Sequence, residues 1–291
     1  MAITYQTILP DPSNSIGDAG QNTGTVGPGY SSVQLKSKSP IMKTRTNSGR
    51  TIARAVVGHS WEVSIGYNPM TRTQFEPIYN FLLQRRGGLK PFFVSLPQYS
   101  TPQDTTFAAY ASANQTIVKT NLVATDVLAG NSYIIATPGN TTWTNIGAPV
   151  TGSASSGTPF TATEVGTGTG TVQASAGSTS LLVDGLTASS GSPRPGDLFT
   201  ITDVNDANHT KTYRVTQIET NATGTYDNLR PQTTERIIHF IPGLQKATYN
   251  NAILKFHNPL IRVTLASDVQ EYSLNTEGLY SFSLKLEEAQ S

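Results

Sequence analysis

Only four imidazoles are available for acid–base or metal chemistry in this chain of 291 residues: His59, His209, His239 and His257. No two of them stand at the i, i+4 spacing of an H-E-x-x-H helix, where both rings share one face and bind zinc beside a general base. Cysteine is absent, which removes thiolate nucleophiles, Cys-based zinc sites and disulfides together and leaves the redox compartment open. A Ser-His-Asp triad needs no local spacing, but the strained G-x-S-x-G elbow that exposes a serine nucleophile does not occur, and serines are too numerous for one to stand out. His59 adjoins the Trp61 strand and His239 lies inside a strand run, so ordinary surface or satisfied-core roles are expected for them.

Three further stretches look chemical at first sight. "GTGTG" (Gly166 to Gly170) has the glycines of a phosphate-binding loop but no following Lys-Ser/Thr and no clear succeeding helix, so a loop or irregular strand is expected. "DVNDAN" (Asp203 to Asn208) offers carboxylates and amides in a turn, without the glycine at position six or the glutamate at position twelve of a calcium loop. Glu287 and Glu288 are the densest acidic group, yet adjacent strand residues point to opposite faces and cannot flank one glycosidic bond. No metal, cofactor or catalytic residue is therefore expected. "QRRGGLK" (Gln84 to Lys90) is the notable basic cluster: Arg85, Arg86 and Lys90 sit where a helix ends and cations complement its dipole, and they are candidate contacts to a partner.

Composition decides the fold class. Charged residues are only 13% and hydrophobic ones 36%, the balance being Ser, Thr, Asn, Gln, Gly and Pro, which favour strands and turns over long helices. The formal net charge of +1 gives no long-range field toward nucleic acid. The opening "MAITYQTILPDPSNS" has no basic segment followed by an apolar run, and nothing approaches the ~18 apolar residues of a membrane helix. Synthesis and folding in the cytoplasm, with no membrane span and no specific nucleic-acid binding, are expected.

In "RTIARAVVGHSWEVSIGY", Trp61, Val63, Ile65 and Tyr67 alternate with polar residues as a half-buried strand does. A helix is predicted over about residues 72–86, with Phe75, Ile78, Tyr79 and Leu82 on one face, Thr73 and Glu76 as a capping box, Pro77 in the first turn, and Gly87 or Gly88 as the left-handed cap. "LKPFFVSLP" then returns to an extended run. Residues 1–40 read as an extended arm with too few apolar residues to fold alone, ordered by lying along a neighbouring subunit. Residues 41–105 carry the first part of a β core. Residues 106–175 form a Thr/Gly/Ser-rich β insertion, with short strands near Tyr133–Ile135 and Phe160–Ala162. Residues 176–291 supply six short strands that complete the core or form a second β domain. The last of these alternates Tyr280, Phe282, Leu284 and Leu286 with polar residues. The fold class is mainly β, a barrel or sandwich with one flanking helix and a small β insertion.

The succession of the Trp61-x-Val63-x-Ile65 strand, a helix ending "FLLQRRGGLKPFFVSLP", and then "RPGDLFTI", "KTYRVTQI", "ERIIHFIPGL" and "NAILKFHNPLIRVTL" resembles tail-tip and distal-tail proteins of long-tailed bacteriophages. The segment from about Leu128 to Val172 resembles a Thr/Gly-rich module inserted in phage structural proteins. This resemblance implies a β-barrel or sandwich of the tail-tube and distal-tail type, no enzymatic activity, and assembly with itself as a ring, hexameric or trimeric. It implies tail-tube, hub and baseplate proteins as partners and the virion as the location. It also gives the Arg85, Arg86 and Lys90 cluster tail-lumen DNA as an alternative contact. A second reading, from a different class, is a host-surface carbohydrate-binding protein that uses Tyr133, Trp143 and Phe160 of the insertion as its contact surface.

Overall fold

A computed structural model of the chain describes residues 5–55, 58–149, 155–206, 209–221 and 231–289. It is mainly β, and the chain divides into two units, Met1–Leu96 with Leu260–Gln290 and Pro97–Pro259. The strands after Pro259 thus return to complete the first unit, and residues 176–259 belong to the second.

The first unit is built on an antiparallel five-stranded sheet in the order Tyr30–Lys38, Ser60–Tyr67, Ser283–Glu288, Leu260–Leu265 and Phe92–Ser95. Period-two alternation places Trp61, Val63, Ile65 and Tyr67 in the core with Ile261, Val263, Leu284 and Leu286. The helix Arg72–Gln84 (α1) buries Phe75, Ile78, Phe81 and Leu82. Its N-cap is Thr71, whose backbone N–H donates to Gln74 Oε1 at 3.1 Å. The Thr73–Glu76 box is displaced by two residues, and Pro77 lies inside the helix rather than in its first turn. At the C-terminus Arg86 itself takes the left-handed conformation (φ 54°), followed by Gly87 (φ 64°). A Cβ on Gly87 would come within 2.6 Å of Asp268 Oδ1, so the double glycine serves close packing as well as the turn.

The expected extended arm is different in the structure. Residues 7–9 run beside Phe93, with Leu9 N–H donating to Phe93 O and Phe93 N–H to Thr7 O. Leu9 and Ile16 are buried, and so are Gln6 and Asp11. Gln6 Oε1 accepts from the Thr7 and Ile8 amides, and Asp11 accepts from the Ser95 hydroxyl and the Ser13 amide. These polar side chains satisfy backbone donors that a poorly apolar segment cannot pair as a strand. Tyr30–Lys38 is itself a strand of the sheet. Residues 6–11 and the strand Tyr30–Lys38 thus have partners within the first unit.

The second unit contains a closed antiparallel barrel of six strands: Ser180–Asp184, Arg236–Ile241, Thr212–Glu219, Leu198–Thr202, Ile253–Lys255 and Thr116–Val118, the last pairing back to the first. Phe199, Tyr213 and Phe240 fill its interior with ring centroids 5.3–5.5 Å apart. A second helix, Thr105–Ala113 (α2), was not expected. Asp104 caps it by accepting from Phe107 N–H at 2.9 Å, a bond that, with the Arg194 guanidinium, holds the carboxyl below its usual pKa. Phe107 enters the barrel core, 5.1 Å from Phe256.

The insertion lies between two adjacent barrel strands, Thr116–Val118 and Ser180–Asp184, where a hairpin turn would otherwise suffice. It forms a three-stranded antiparallel sheet, Pro159–Thr161, Ser132–Thr137 and Thr171–Ala174. Its core includes Leu182 and Ile237 from the barrel strands, while Leu181, Val183 and Ile238 belong to the barrel core. This explains why "SLLV" is buried without alternation: both faces of that strand are covered.

The glycines of "GTGTG" belong to this packing. A Cβ on Gly170 would lie 2.3 Å from Trp143 Cζ2 and 2.4 Å from Pro138 O. Gly170→Ala is expected to destabilise the second unit by about 1–3 kcal/mol through overpacking. Urea titration followed by tryptophan fluorescence reads this, and an unchanged midpoint would refute it.

Candidate assembly surface

The first unit contains an exposed hairpin ribbon with five-residue strands. Among the described residues Ile41–Arg45 and Thr51–Ala55 pair only with each other, in the register Met42↔Arg54 and Thr44↔Ile52. A turn at residues 46–50 closes it: Thr46 N–H donates to Arg50 O, Gly49 N–H to Thr46 O, and Gly49 is left-handed at φ 82°. Every residue of Ile41–Arg45 is exposed, as are Thr51, Ile52, Ala53 and Arg54. Ile41, Met42 and Ile52 are each more than half exposed.

Directly opposite residues share a face of a two-stranded ribbon. One face carries Met42, Thr44, Ile52 and Arg54, and the other Ile41, Lys43, Arg45 and Ala53. Among the described residues neither face has apolar cover, and an isolated two-stranded ribbon is marginal in water. Four cations and no carboxylate lie within Ile41–Ala55, in a chain of net charge +1. Positive and apolar groups are thus concentrated on one projecting element.

The strand leading into this hairpin, Tyr30–Lys38, is an edge of the five-stranded sheet and pairs on one side only among the described residues. Its exposed Lys36 and Lys38 are the charges that discourage edge-to-edge pairing. Lys38 is also engaged with Glu62 at 3.1 Å. The hairpin, rather than this edge, is the surface that its own unit leaves unfinished.

Of the six residues singled out from the sequence, four are buried or half-buried. Arg85 is half-buried: its guanidinium lies 4.2 Å from the centre of the Phe81 ring and donates through Nη2 to Gln6 O at 2.7 Å, and burial lowers its pKa. It ties the N-terminal segment to α1. Arg86 and Lys90 are exposed at the helix end. Tyr133, Trp143 and Phe160 do come together, with Phe160 centred 6.0 Å from Tyr133 and 5.7 Å from Trp143. They are buried, however, at 3, 2 and 6% exposure. Trp143 Nε1 donates to Pro138 O at 2.8 Å, and the Tyr133 hydroxyl accepts from Leu128 N–H at 3.0 Å. A sugar-stacking platform needs an open ring face, so these aromatics form the core of the insertion instead of a glycan contact surface.

The residues weighed for chemistry also have structural partners. His239 Nε2 lies 2.6 Å from Glu219 Oε1, His257 Nε2 donates to Ala108 O at 2.7 Å, and His59 Nε2 meets Ser37 Oγ at 2.9 Å. Glu288 accepts from Trp61 N–H at 2.9 Å. Asp203 accepts from the Asn205 and Tyr249 amides, which uses both carboxylate oxygens of the "DVNDAN" turn. Residues 207–208 of that turn lie outside the described residues. Among the described residues no group of three or more His, Asp or Glu could hold a metal ion, and no helix is long and apolar enough to cross a membrane.

The hairpin was not read from the sequence as a surface. Its signal was present: alternation of apolar and basic residues around "TNSG" with no acidic residue between Tyr30 and Trp61. No protein-family model matches the chain, and no curated protein matches it in sequence.

Proposed function

We propose that this chain is a non-enzymatic structural protein of a bacteriophage virion, a ring-forming component of the tail tip, distal tail or baseplate that joins the tail tube to more distal parts. The observation that carries the assembly part of this reading is the hairpin Ile41–Ala55, whose exposed faces carry both apolar and cationic side chains and which pairs with no other strand among the described residues. Such an element is stabilised when a neighbour covers it, and a contact between two different patches of one chain closes into a ring when its rotation divides the circle. The phage assignment rests on the sequence resemblance, with which a mainly β chain containing a closed six-stranded barrel agrees in fold class. Sixfold or threefold rings, with tube, hub and baseplate proteins as further partners, follow from the same resemblance.

The test is mass spectrometry of purified virions from the phage whose genome encodes the chain, after separating tails from heads. The protein is expected in the tail fraction at a fixed copy number. Its absence from mature particles would overturn the assignment.

A further inference from the structure

The first unit carries a second exposed element whose chemistry is the converse of the hairpin's. Between Ala266 and Phe282 the chain holds Asp268, Glu271 and Glu277 and no basic residue. Val269, Tyr272 and Leu274 in the same stretch are 63, 49 and 57% exposed. The element is held in shape: Ser273–Leu274 pairs with Tyr280–Ser281, Met70 and Tyr280 exchange backbone hydrogen bonds, and the Tyr272 ring lies 5.0 Å from Phe75 and 5.5 Å from Tyr79. Beside it is a surface groove of about 410 Å³ lined by Tyr67, Glu271, Tyr272 and Phe282. Glu271 and Glu277 make no ion pair among the described residues, and neither do Lys43 and Arg54, whereas Asp268 is occupied by Gly88 N–H at 3.3 Å.

We propose that the cationic hairpin Ile41–Ala55 of one copy docks on the anionic face at residues 267–279 of the next copy, with the Met42 and Ile52 side chains entering the groove beside Tyr272. This rests on the assembly reading above and deepens it by naming the two halves of the contact. Three properties match: opposite charge, exposed apolar side chains on both sides, and a groove beside one of them. Opposite potentials favour this pairing and disfavour hairpin on hairpin or face on face, where like charges would meet. The contact is therefore head-to-tail, the type that generates rings. A nucleic acid would satisfy the cations of the hairpin but would leave Ile41, Met42 and Ile52 without apolar cover and the acidic face without a partner.

Two full-length variants test this, Lys43→Glu/Arg54→Glu and Glu271→Lys/Glu277→Lys, all four positions being exposed. The readout is sedimentation velocity with circular dichroism to confirm folding. The wild-type chain is expected to self-associate, more weakly at high salt. Each variant alone is expected to associate roughly a hundredfold more weakly. An equimolar mixture of the two should recover association, because the reversed hairpin of one meets the reversed face of the other. Folded variants that associate like wild type would overturn the docking while leaving the assembly reading standing, and a wild-type chain that stays monomeric throughout would overturn both. If a duplex oligonucleotide binds the wild-type chain, the hairpin variant abolishes that binding, and the face variant leaves self-association unchanged, then the hairpin's partner is nucleic acid and the proposal fails.

Discussion

Replacing Trp143 by alanine is expected to destabilise the second unit by about 3–5 kcal/mol, the range for removing a buried aromatic side chain. The indole is 2% exposed and sits between the Phe160 ring and the backbone at Gly170. Its loss opens a cavity and also strips Pro138 O of the Nε1 donor at 2.8 Å. The effect should be local first. The core of the insertion shares only Leu182 and Ile237 with the barrel strands, whereas Phe199, Tyr213 and Phe240 form a separate interior. Hydrogen exchange should therefore show loss of protection in Ser132–Thr137 and Thr171–Ala174 before loss in Thr212–Glu219. A Trp143→Ala chain that keeps wild-type stability and loses binding to a polysaccharide would instead restore the carbohydrate reading.

Acid should weaken the second unit through His209. This ring is buried, and its Nε2 lies 2.8 Å from the Tyr213 hydroxyl, which accepts in turn from Gln245 N–H at 3.1 Å. In the neutral ring Nε2 can accept from the Tyr213 hydroxyl, a bond that the protonated ring cannot make in that direction. Burial lowers the pKa from 6.5 to about 4, with Lys246 acting in the same direction and Asp206 and Asp203 opposing it. The folded-state pKa is below the unfolded one, so between these values the unfolded chain binds more protons and falling pH favours unfolding. Stability should fall from about pH 6.5, by up to about 1.4 kcal/mol per pH unit, with a total near 3 kcal/mol by about pH 4. His209→Gln keeps an acceptor for Tyr213 and cannot titrate. It should flatten the acid limb of a chemical-denaturation series over that range, and an unchanged slope would show that other groups set it.

The parts of the fold visible in the sequence are those with a strong period. Trp61, Val63, Ile65 and Tyr67, the face of α1, and Phe282, Leu284 and Leu286 each repeat the pattern of their element. The strands at Leu198–Thr202, Thr212–Glu219 and Arg236–Ile241 were legible as apolar runs between turns. Thr116–Val118 was not, because three residues carry no period, although its pairing closes the barrel. Helix α2 escaped because one fully buried residue, Phe107, makes no stripe. The N-terminal segment read as too polar to fold because Gln6 and Asp11 count against burial in composition, yet here they serve as internal hydrogen-bond partners. The candidate surface was hardest to see. Interaction was sought at aromatics and an arginine pair, and the aromatics belong to a core while Arg85 binds Gln6 O. A hairpin exposed on both faces has no burial pattern to find, and it becomes informative only when its neighbours are known to leave Met42 and Ile52 uncovered.

The central claim is that this chain assembles with itself through the hairpin. Native mass spectrometry of the full-length protein, beside a chain in which residues 41–55 are replaced by a short Gly-Ser turn, tests it most directly. The turn would join Pro40 to Val56, a few residues from Lys38 and Ser60, which are already paired across the sheet, so the rest of the unit should fold. The expected result is one closed oligomer for the intact chain, threefold or sixfold, and a folded monomer for the shortened one. A monomeric intact chain, or an oligomer that survives loss of the hairpin, would contradict the claim.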